Sequence, residues 1–198
     1  MSSAIDVRPF GAGDVDRLAV LFAGDRSTRH CWCTAFCTTG RQFAAGWFGG
    51  GNRRRFTELA AASRHPMGVL ALRDEVPVGW GACGPRSRYT AAIDGRSQLL
   101  RARPREDDDR VWLIACLFVA ADHRRRGLTS SLIAAAVDAA RRAGAVAVEA
   151  WPASAAAPRT ADLFLGREQV FADQGFRCID RPSPHRSIMR LDLHPLDR

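Results

Sequence analysis

The chain has 198 residues, of which 46% are hydrophobic and 25% charged, and its formal net charge is +8 at pH 7. These values are ordinary for a globular protein with a substantial core, and no apolar run reaches the roughly 20 residues that a membrane helix needs. The length suits one domain, residues 1–198. Because the first residues lack the apolar core of a secretory signal, we expect the protein in the cytoplasm.

Every basic residue is arginine, and the sequence contains no lysine. Arginine keeps its charge when partly buried, and its planar group matches phosphate oxygens. The positive charge therefore suits either a polyanionic cofactor or nucleic acid. The aromatic residues are not interleaved with the basic clusters, as base stacking on single strands would require, so we do not expect a nucleic-acid partner.

The N-terminal third of the chain predicts one strand and two helices. Residues 4–9 alternate and indicate a strand, and apolar residues recur at helical spacing over 14–22. Residues 24–51 show no periodicity and are expected to be irregular. Asn52 fits the N-cap position of a helix over 53–63.

A hairpin and a long charged excursion follow. The apolar runs 68–72 and 76–83 are separated by a charged triplet and predict two antiparallel strands joined by a turn. Residues 85–110 are rich in arginine and end in an acidic run, 106–109, which indicates a solvated loop.

The clearest unit of the sequence is a strand, a basic turn, a helix and a second strand. Residues 111–120 are almost wholly apolar and predict a buried strand. An Ala-rich helix follows the turn and is expected to end near residue 143, with Gly144 as its stop. The apolar run 145–151 predicts a second strand, and the intervening helix indicates that the two strands are parallel.

The remaining predicted elements are short. They are a helix over 167–174 and strands over 176–179 and 187–193. The sequence has no internal repeat and no second hydrophobic core, which supports a single domain.

The basic turn that follows the predicted strand over residues 111–120 has the features of a phosphate site. The first N–H groups of a helix have no intrahelical partner and lie at the positive end of the helix dipole. A phosphate binds readily there, and Gly127 lets the backbone approach it closely. Neither a Walker loop nor a Rossmann glycine pattern is present.

The run Arg124-Arg125-Arg126-Gly127-Leu128-Thr129 resembles the acyl-CoA-binding signature of the GNAT acyltransferase superfamily. That signature is Gln or Arg, two residues, Gly, one residue, then Gly or Ala. Thr129 departs from the last position, and its hydroxyl is able either to bond the phosphate or to cap the helix. Phe171-Ala172-Asp173-Gln174-Gly175-Phe176 resembles a second feature of the superfamily, an aromatic residue followed after three residues by Gly-Phe.

Further short motifs resemble a bacterial subgroup of the superfamily. They are Cys31-Trp32-Cys33, Gly79-Trp80 with Pro85-Arg86, Glu149-Ala150-Trp151-Pro152, Phe164-Leu165-Gly166 and Arg186-Ser187-Ile188-Met189-Arg190-Leu191. The resemblance thus extends over most of the chain and is densest from residue 111 to 176.

The resemblance implies an α/β (α+β) GNAT fold, with a mixed central sheet flanked by helices. It implies an N-acetyltransferase in which a primary amine of a small molecule or protein attacks acetyl-CoA directly in a ternary complex. Backbone groups of the buried strand would hold the pantetheine arm, and amides of the turn would hold the pyrophosphate. The implied cofactor-binding residues are Leu117, Phe118, Val119, Arg124, Arg125, Arg126, Gly127, Leu128 and Thr129.

Glu149 is the acidic residue that most suggests catalysis, because it interrupts an otherwise apolar strand. A carboxylate there is able to accept the proton of the amine, directly or through water, or to bind the ammonium form. The alternative is a strand-end residue that reaches solvent or pairs with an arginine. The sequence leaves these two interpretations evenly balanced.

The leaving-group acid is the main departure from the superfamily. Many relatives have tyrosine four residues before the Gly-Phe pair, whereas this chain has Phe171, which has no proton to donate. Tyr89 is the sole tyrosine, and nothing in the sequence places it near the thiol. Water would then protonate the thiolate, or no acid is needed, or the chain is a non-catalytic acyl-CoA-binding module.

An early segment carries four potential zinc ligands: His30, Cys31, Cys33 and Cys37. Paired CxxC knuckles are absent, so we expect no metal. The neighbouring aromatic residues form either an apolar wall of the acceptor pocket or part of the core; they are Trp32, Phe36, Trp47 and Phe48. Cys116 has no adjacent base to activate it and is expected to be structural or pocket-lining. The sequence identifies neither the acceptor nor the length of the acyl chain. It also does not show whether the chain forms a homodimer.

Overall fold

The structure is a computed structural model that describes residues 4–94, 103–158 and 163–193. Within these ranges seven strands form one sheet in the order β1-β2-β3-β4-β5-β7-β6. The strands are β1 (Ile5–Pro9), β2 (Gly68–Arg73), β3 (Val76–Pro85), β4 (Val111–Val119), β5 (Ala147–Ala150), β6 (Arg177–Ser183) and β7 (Arg186–Asp192). The helices are α1 (Val15–Ala23), α2 (Gly40–Ala45), α3 (Gly51–Ala62), α4 (Thr90–Asp94), α5 (Leu128–Arg142) and α6 (Glu168–Ala172).

The sheet is mixed, as the sequence predicts. β4 and β5 are parallel and are connected through α5, whereas every other neighbouring pair is antiparallel. The predicted hairpin is β2–β3, and the C-terminal pair β6–β7 joins the sheet through β5. The long apolar pattern of β4 follows from its central place, because both of its faces are covered.

The two faces of the sheet carry separate parts of the core. α5 packs on one face with its apolar stripe, which includes Leu132, Ile133 and Ala136, all fully buried. α1 and α3 cover the other face, where Phe22 and Phe56 contact Trp80 of β3 edge to face. None of the described helices is both long and apolar enough to cross a membrane.

β4 and β5 diverge after a short paired stretch. They pair only over Val111–Ile114 and Ala147–Ala150. Beyond that point β4 continues to Val119 beside β3 alone, and the register against β3 shifts at the level of Ala115. One edge of β4 from residue 115 to 119 therefore has no strand partner in the described part of the chain. The candidate functional site lies beside this open edge.

Two predictions for the segment before α3 are wrong. Residues 24–51 are not wholly irregular, since they contain a 3-10 helix, Thr34–Phe36, and α2. A capping box that the sequence does display starts α2: the N–H of Gln42 donates to the Thr39 hydroxyl. Asn52 is not an N-cap, because α3 begins after Gly50, whose left-handed conformation (φ 72°) places Asn52 inside the helix.

Asn52 anchors this segment instead. Its side chain is buried, and its amide donates to the carbonyls of His30 (2.8 Å) and Phe43 (3.2 Å). Replacing Asn52 by alanine leaves two carbonyls without these donors, so we expect the free energy of unfolding to fall by about 1–3 kcal/mol. Urea denaturation measures this, with Thr57→Ala as the control, since the exposed Thr57 hydroxyl bonds only to Arg53 of its own helix. Equal losses in both variants would contradict the anchoring role.

Candidate functional site

Three connected depressions lie beside the open edge of β4. The edge cleft, about 310 Å³, is lined by Leu117, Phe118, Val119, Arg124, Thr129, Phe164, Gly166, Arg167 and Val170. The turn cleft, about 220 Å³, is lined by Val119, His123, Arg124, Arg125, Gly127, Leu128, Thr129, Ser130 and Val170. The third depression has a volume of about 170 Å³, and we call it the thiol pocket after the cysteines in its lining. It is lined by Phe22, Ser27, Thr28, Cys31, Trp32, Cys33, Ala35, Phe36, Cys116, Phe164 and Leu165. The edge cleft shares four residues with the turn cleft and Phe164 with the thiol pocket.

The backbone of β4 offers polar groups to the edge cleft. The N–H of Ala120 donates to the carbonyl of Val78 at 2.9 Å, so this position bonds toward β3. Because bonding alternates along an antiparallel pair, the backbone of Phe118 also faces β3, while Leu117 and Val119 turn theirs to the open edge. The carbonyl of Val119 already accepts from Nε of Arg124 at 3.0 Å.

The turn before α5 leaves the start of the helix without a side-chain cap. Gly127 is the N-cap in the left-handed conformation (φ 77°), and no side chain caps the helix. The N–H groups of the first turn of this 15-residue helix are therefore free for a ligand. Arg125 is also left-handed (φ 60°). A phosphate group fits this arrangement.

The side chains at the turn add charge and one hydroxyl. Arg125 and Arg126 are exposed, and neither pairs with an acid in the described part of the chain. Thr129 lines both the edge and the turn cleft. It does not cap the helix, because Gly127 occupies the cap.

Glu149 lies away from all three depressions. Its side chain is fully buried, and its two carboxylate oxygens pair with Arg86 (3.0 Å), Arg103 (2.6 Å) and Arg190 (2.9 Å). Burial would raise the pKa of this carboxyl, but the bonds and charges of the arginines outweigh it and hold the pKa below its ordinary value. A carboxylate that is fully paired and weakly basic favours the pairing interpretation over that of a general base.

The acidic run 106–109 is not wholly solvated. Asp108 is buried, and its carboxylate accepts from Nε of Arg86 at 2.5 Å. Arg86 also donates to the carbonyl of Pro104, so its guanidinium joins two carboxylates and a backbone group. The motif Pro85-Arg86 marks this arginine in the sequence, but nothing local to it identifies its partners.

Phe171, at the position of the superfamily's tyrosine, and Tyr89, the sole tyrosine, both lie outside the clefts. Phe171 is fully buried beneath the edge cleft, so close to Gly166 that a Cβ there would lie 2.9 Å from its ring. Tyr89 is buried at the other face of the sheet, and its hydroxyl has no hydrogen-bond partner among the described residues. Burial raises the pKa of Tyr89 well above its ordinary value. Neither side chain lines any of the three clefts.

The early cysteine segment forms much of the thiol pocket. Burial raises the pKa of Cys31 to about 12, and a hydrogen bond with Cys116 together with burial raises the pKa of Cys33 well above its ordinary value. Cys31 and Cys33 are therefore neutral thiols and not nucleophiles at neutral pH. All six cysteines are free, and no group of three or more metal-ligand side chains in the described ranges is arranged to hold an ion.

The aromatic residues of this segment divide between two environments. Trp32 and Phe36 line the thiol pocket, and Trp32 is also part of the buried core on that face of the sheet. Trp47 and Phe48 lie outside it and flank His30, and Phe48 is 79% exposed. Reasoning from individual residues missed the far wall of the edge cleft, made by Phe164, Gly166, Arg167 and Val170. The motif Phe164-Leu165-Gly166 was the feature of the sequence that marked this wall.

Comparison with known proteins places most of the chain in a family. Residues 37–164 match the family described as Acetyltransferase (GNAT) family. No curated protein sequence matches the chain.

Solved structures share the fold at low sequence identity. The protein yncA of Salmonella typhimurium, with its cofactor acetyl-CoA, gives a TM-score of 0.59 at 14% identity and covers 99% of this chain and 98% of its own. The paia N-acetyltransferase of Thermoplasma acidophilum, in complex with coenzyme A, gives 0.54 at 10% identity over 96% and 99% of the two chains. A ribosomal-protein-alanine N-acetyltransferase of Brucella melitensis gives 0.56 at 18% identity over 95% and 99%. At these identities the similarity is one of fold, and it confirms the predicted mixed sheet flanked by helices.

Proposed function

The chain belongs to the acetyltransferase (GNAT) family, and from this premise we propose that it transfers an acetyl group from acetyl-CoA to a primary amine of a small molecule or protein. The observation that carries the proposal is the open edge of β4, which leads to the uncapped start of α5. An extended pantetheine arm would bond along that edge, and the pyrophosphate would lie at the turn.

The residues present suit each part of acetyl-CoA. Leu117 and Val119 direct backbone groups to the edge cleft, where the two amides of pantetheine need partners. Arg124 borders both the edge and the turn cleft and would bridge the arm and the pyrophosphate. Arg125 and Arg126 would supply charge where the phosphates carry it.

The chemistry of the thiol pocket supports direct attack in a ternary complex. A covalent route needs a thiolate, and the raised pKa values of Cys31 and Cys33 argue against one there. In direct attack the lone pair of a neutral amine forms the C–N bond, the C–S bond breaks, and the thiolate leaves. A free N–H of Leu117 or Val119 would polarise the thioester carbonyl.

The proposed transfer draws no acid–base assistance from Glu149 or Phe171. Glu149 is held among three arginines, and Phe171 has no proton to donate. Water is then the proton carrier between the amine and the thiolate. The same facts favour a second candidate function, an acyl-CoA-binding module without catalysis.

One pair of measurements separates the two candidates. Release of free thiol from acetyl-CoA is followed with a panel of primary amines, and binding of coenzyme A is measured by calorimetry on the same protein. An enzyme binds coenzyme A and releases thiol with at least one amine. Binding without amine-dependent release would establish the non-catalytic module, and absence of binding would reject both.

Arg124 provides a quantitative test of the cofactor site. Arg124→Leu removes a charged donor worth about 1.5–3 kcal/mol, so we expect coenzyme A to bind about 10- to 100-fold more weakly. The matched control is Arg142→Leu, which removes the same charge from the exposed opposite end of α5. Equal losses of affinity in the two variants would indicate a general charge effect and would contradict a site at the turn.

A further inference from the structure

In the described part of the chain, the lining of the thiol pocket offers no counter-ion to an ammonium group. None of the described residues that line it is Asp, Glu or His. Asp25, which precedes Ser27 and Thr28 of the lining, does not itself line the pocket; it accepts from the N–H and hydroxyl of Ser27 and lies 3.7 Å from Arg124. The pKa of Asp25 is lowered by its bonds with Ser27, so its charge is already compensated. Cys31 and Cys33 add only neutral thiols.

Four aromatic side chains contribute to the walls of the pocket: Phe22, Trp32, Phe36 and Phe164. Phe22 and Trp32 pack edge to face with their centroids 5.4 Å apart. Phe164, which joins the pocket to the edge cleft, stacks on Phe118 at 6.2 Å. The volume of about 170 Å³ is close to that of an engineered apolar cavity of about 150 Å³ that binds benzene. The pocket therefore matches one six-membered ring.

Resting on the function proposed above, we propose that the acceptor is a primary aromatic amine whose ring fills the thiol pocket. An alkylamine is an ammonium ion at neutral pH and would lose its hydration in this pocket without gaining a counter-ion. An aromatic amine is neutral because its lone pair is delocalised into the ring, so it enters without that cost. Its ring also gains aromatic contacts with the walls.

This acceptor accounts for the missing base and acid. A neutral aromatic amine needs no deprotonation before it attacks the thioester carbon. Its lone pair forms the C–N bond, the electrons of the breaking C–S bond go to sulfur, and the acidified N–H passes its proton through water to the thiolate. The products are an N-aryl acetamide and the free thiol of coenzyme A. Glu149 and Phe171 then have no part in proton transfer.

The test compares two amines with the same ring size. Thiol release from acetyl-CoA is measured with aniline and with its saturated counterpart, cyclohexylamine. We expect kcat/KM for aniline to exceed that for cyclohexylamine by at least about tenfold at pH 7, and to stay level as the pH rises. The kcat/KM for cyclohexylamine should rise about tenfold per pH unit, with the fraction of neutral amine.

Other outcomes overturn the proposal in distinguishable ways. Equal or better use of cyclohexylamine or spermidine at pH 7 rejects the aromatic acceptor and leaves the acetyltransferase in place. Better use of hexanoyl-CoA than of acetyl-CoA shows that the acyl chain fills the pocket, and also rejects it. No release with any amine, together with binding of coenzyme A, rejects the acetyltransferase itself.

A carboxylate placed in the pocket should reverse the preference. Cys31→Asp and Ala35→Asp each add a negative charge to its lining, so the ratio of aniline to cyclohexylamine activity should fall by about tenfold or more. Two positions are used because either variant alone could fail to fold. Cys178→Asp is the control, since Cys178 is exposed on β6, and it should leave the ratio unchanged. An unchanged ratio in folded pocket variants overturns the proposal.

Discussion

Replacing Glu149 by glutamine is expected to lower the free energy of unfolding by about 3–5 kcal/mol, because the change removes the charge that compensates buried arginines. The fully buried Glu149 bonds with Arg86, Arg103 and Arg190, and Arg86 is itself 2% exposed. Glutamine keeps the shape of the side chain and one acceptor oxygen. In the described part of the chain, it leaves the three guanidinium groups with the carboxylates of Asp108 and Asp192.

Chemical denaturation with urea measures this loss. Asp138→Asn is the matched control, since Asp138 pairs with Arg141 on the exposed surface of α5, where an ion pair contributes at most about 1 kcal/mol. If Glu149 is instead the general base, Glu149→Gln keeps normal stability and binding of coenzyme A and loses turnover. That result would restore the catalytic interpretation and refute the structural one.

The same cluster predicts a pH dependence of stability. Burial raises the pKa of Glu149, but the arginines lower it further, so the folded pKa lies below the unfolded one. A carboxyl of this kind contributes stability that is complete above its unfolded pKa and is lost as the pH falls through its folded pKa. Wild-type protein should therefore lose stability below about pH 4, and the gap to Glu149→Gln should narrow there. A gap that stays constant down to about pH 3 would exclude this linkage.

Replacing Thr129 by glutamate is expected to abolish coenzyme A binding while leaving the protein folded. The carboxylate would face the clefts at the start of α5, where the pyrophosphate is proposed to bind. Two like charges at 4 Å repel by roughly 4 kcal/mol at an effective dielectric constant near 20, so the affinity should fall by at least about 100-fold. A negative residue in the first turn of a helix stabilises the fold by about 0.3–1 kcal/mol.

Two further variants isolate the cause. Ser131→Glu adds the same charge to the same turn, but its exposed side chain lines neither cleft, so it should retain most of the affinity. Thr129→Gln adds similar bulk without charge, so its affinity for coenzyme A should lie between those of Thr129→Glu and Ser131→Glu. Calorimetry with coenzyme A and thermal unfolding provide the readouts. Equal weakening by Thr129→Gln and Thr129→Glu would attribute the effect to bulk and count against a phosphate at this helix start.

The sequence predicts the central unit of the fold well because its signals are local and strong. The apolar run of β4, the helical pattern of α5 and the stop at Gly144 lie within one continuous segment. The turn combines arginines with a left-handed glycine at a helix start, which makes a phosphate site the natural interpretation. The family resemblance then supplies the ligand, and the match over residues 37–164 confirms the family.

The environment of Glu149 could not be predicted, because its partners are distant along the chain. Arg86, Arg103 and Arg190 lie 63, 46 and 41 residues away, and no periodic pattern relates such positions. A charge in an apolar strand looks the same in sequence whether it serves chemistry or a buried ion pair. The prediction that Asn52 is an N-cap was wrong for a similar reason. Its hydrogen bonds to His30 and Phe43 depend on the path of the intervening segment.

The unpaired edge of β4 has a consequence for the behaviour of the protein without its ligand. An exposed strand edge is a template for pairing with another chain, and therefore a route to aggregation. The free stretch, residues 115–119, is short and begins at a register shift, both of which restrain such pairing. A pantetheine arm bonded along it would act as the absent strand and remove the template. Occupancy by coenzyme A should then protect the protein against self-association as well as against unfolding.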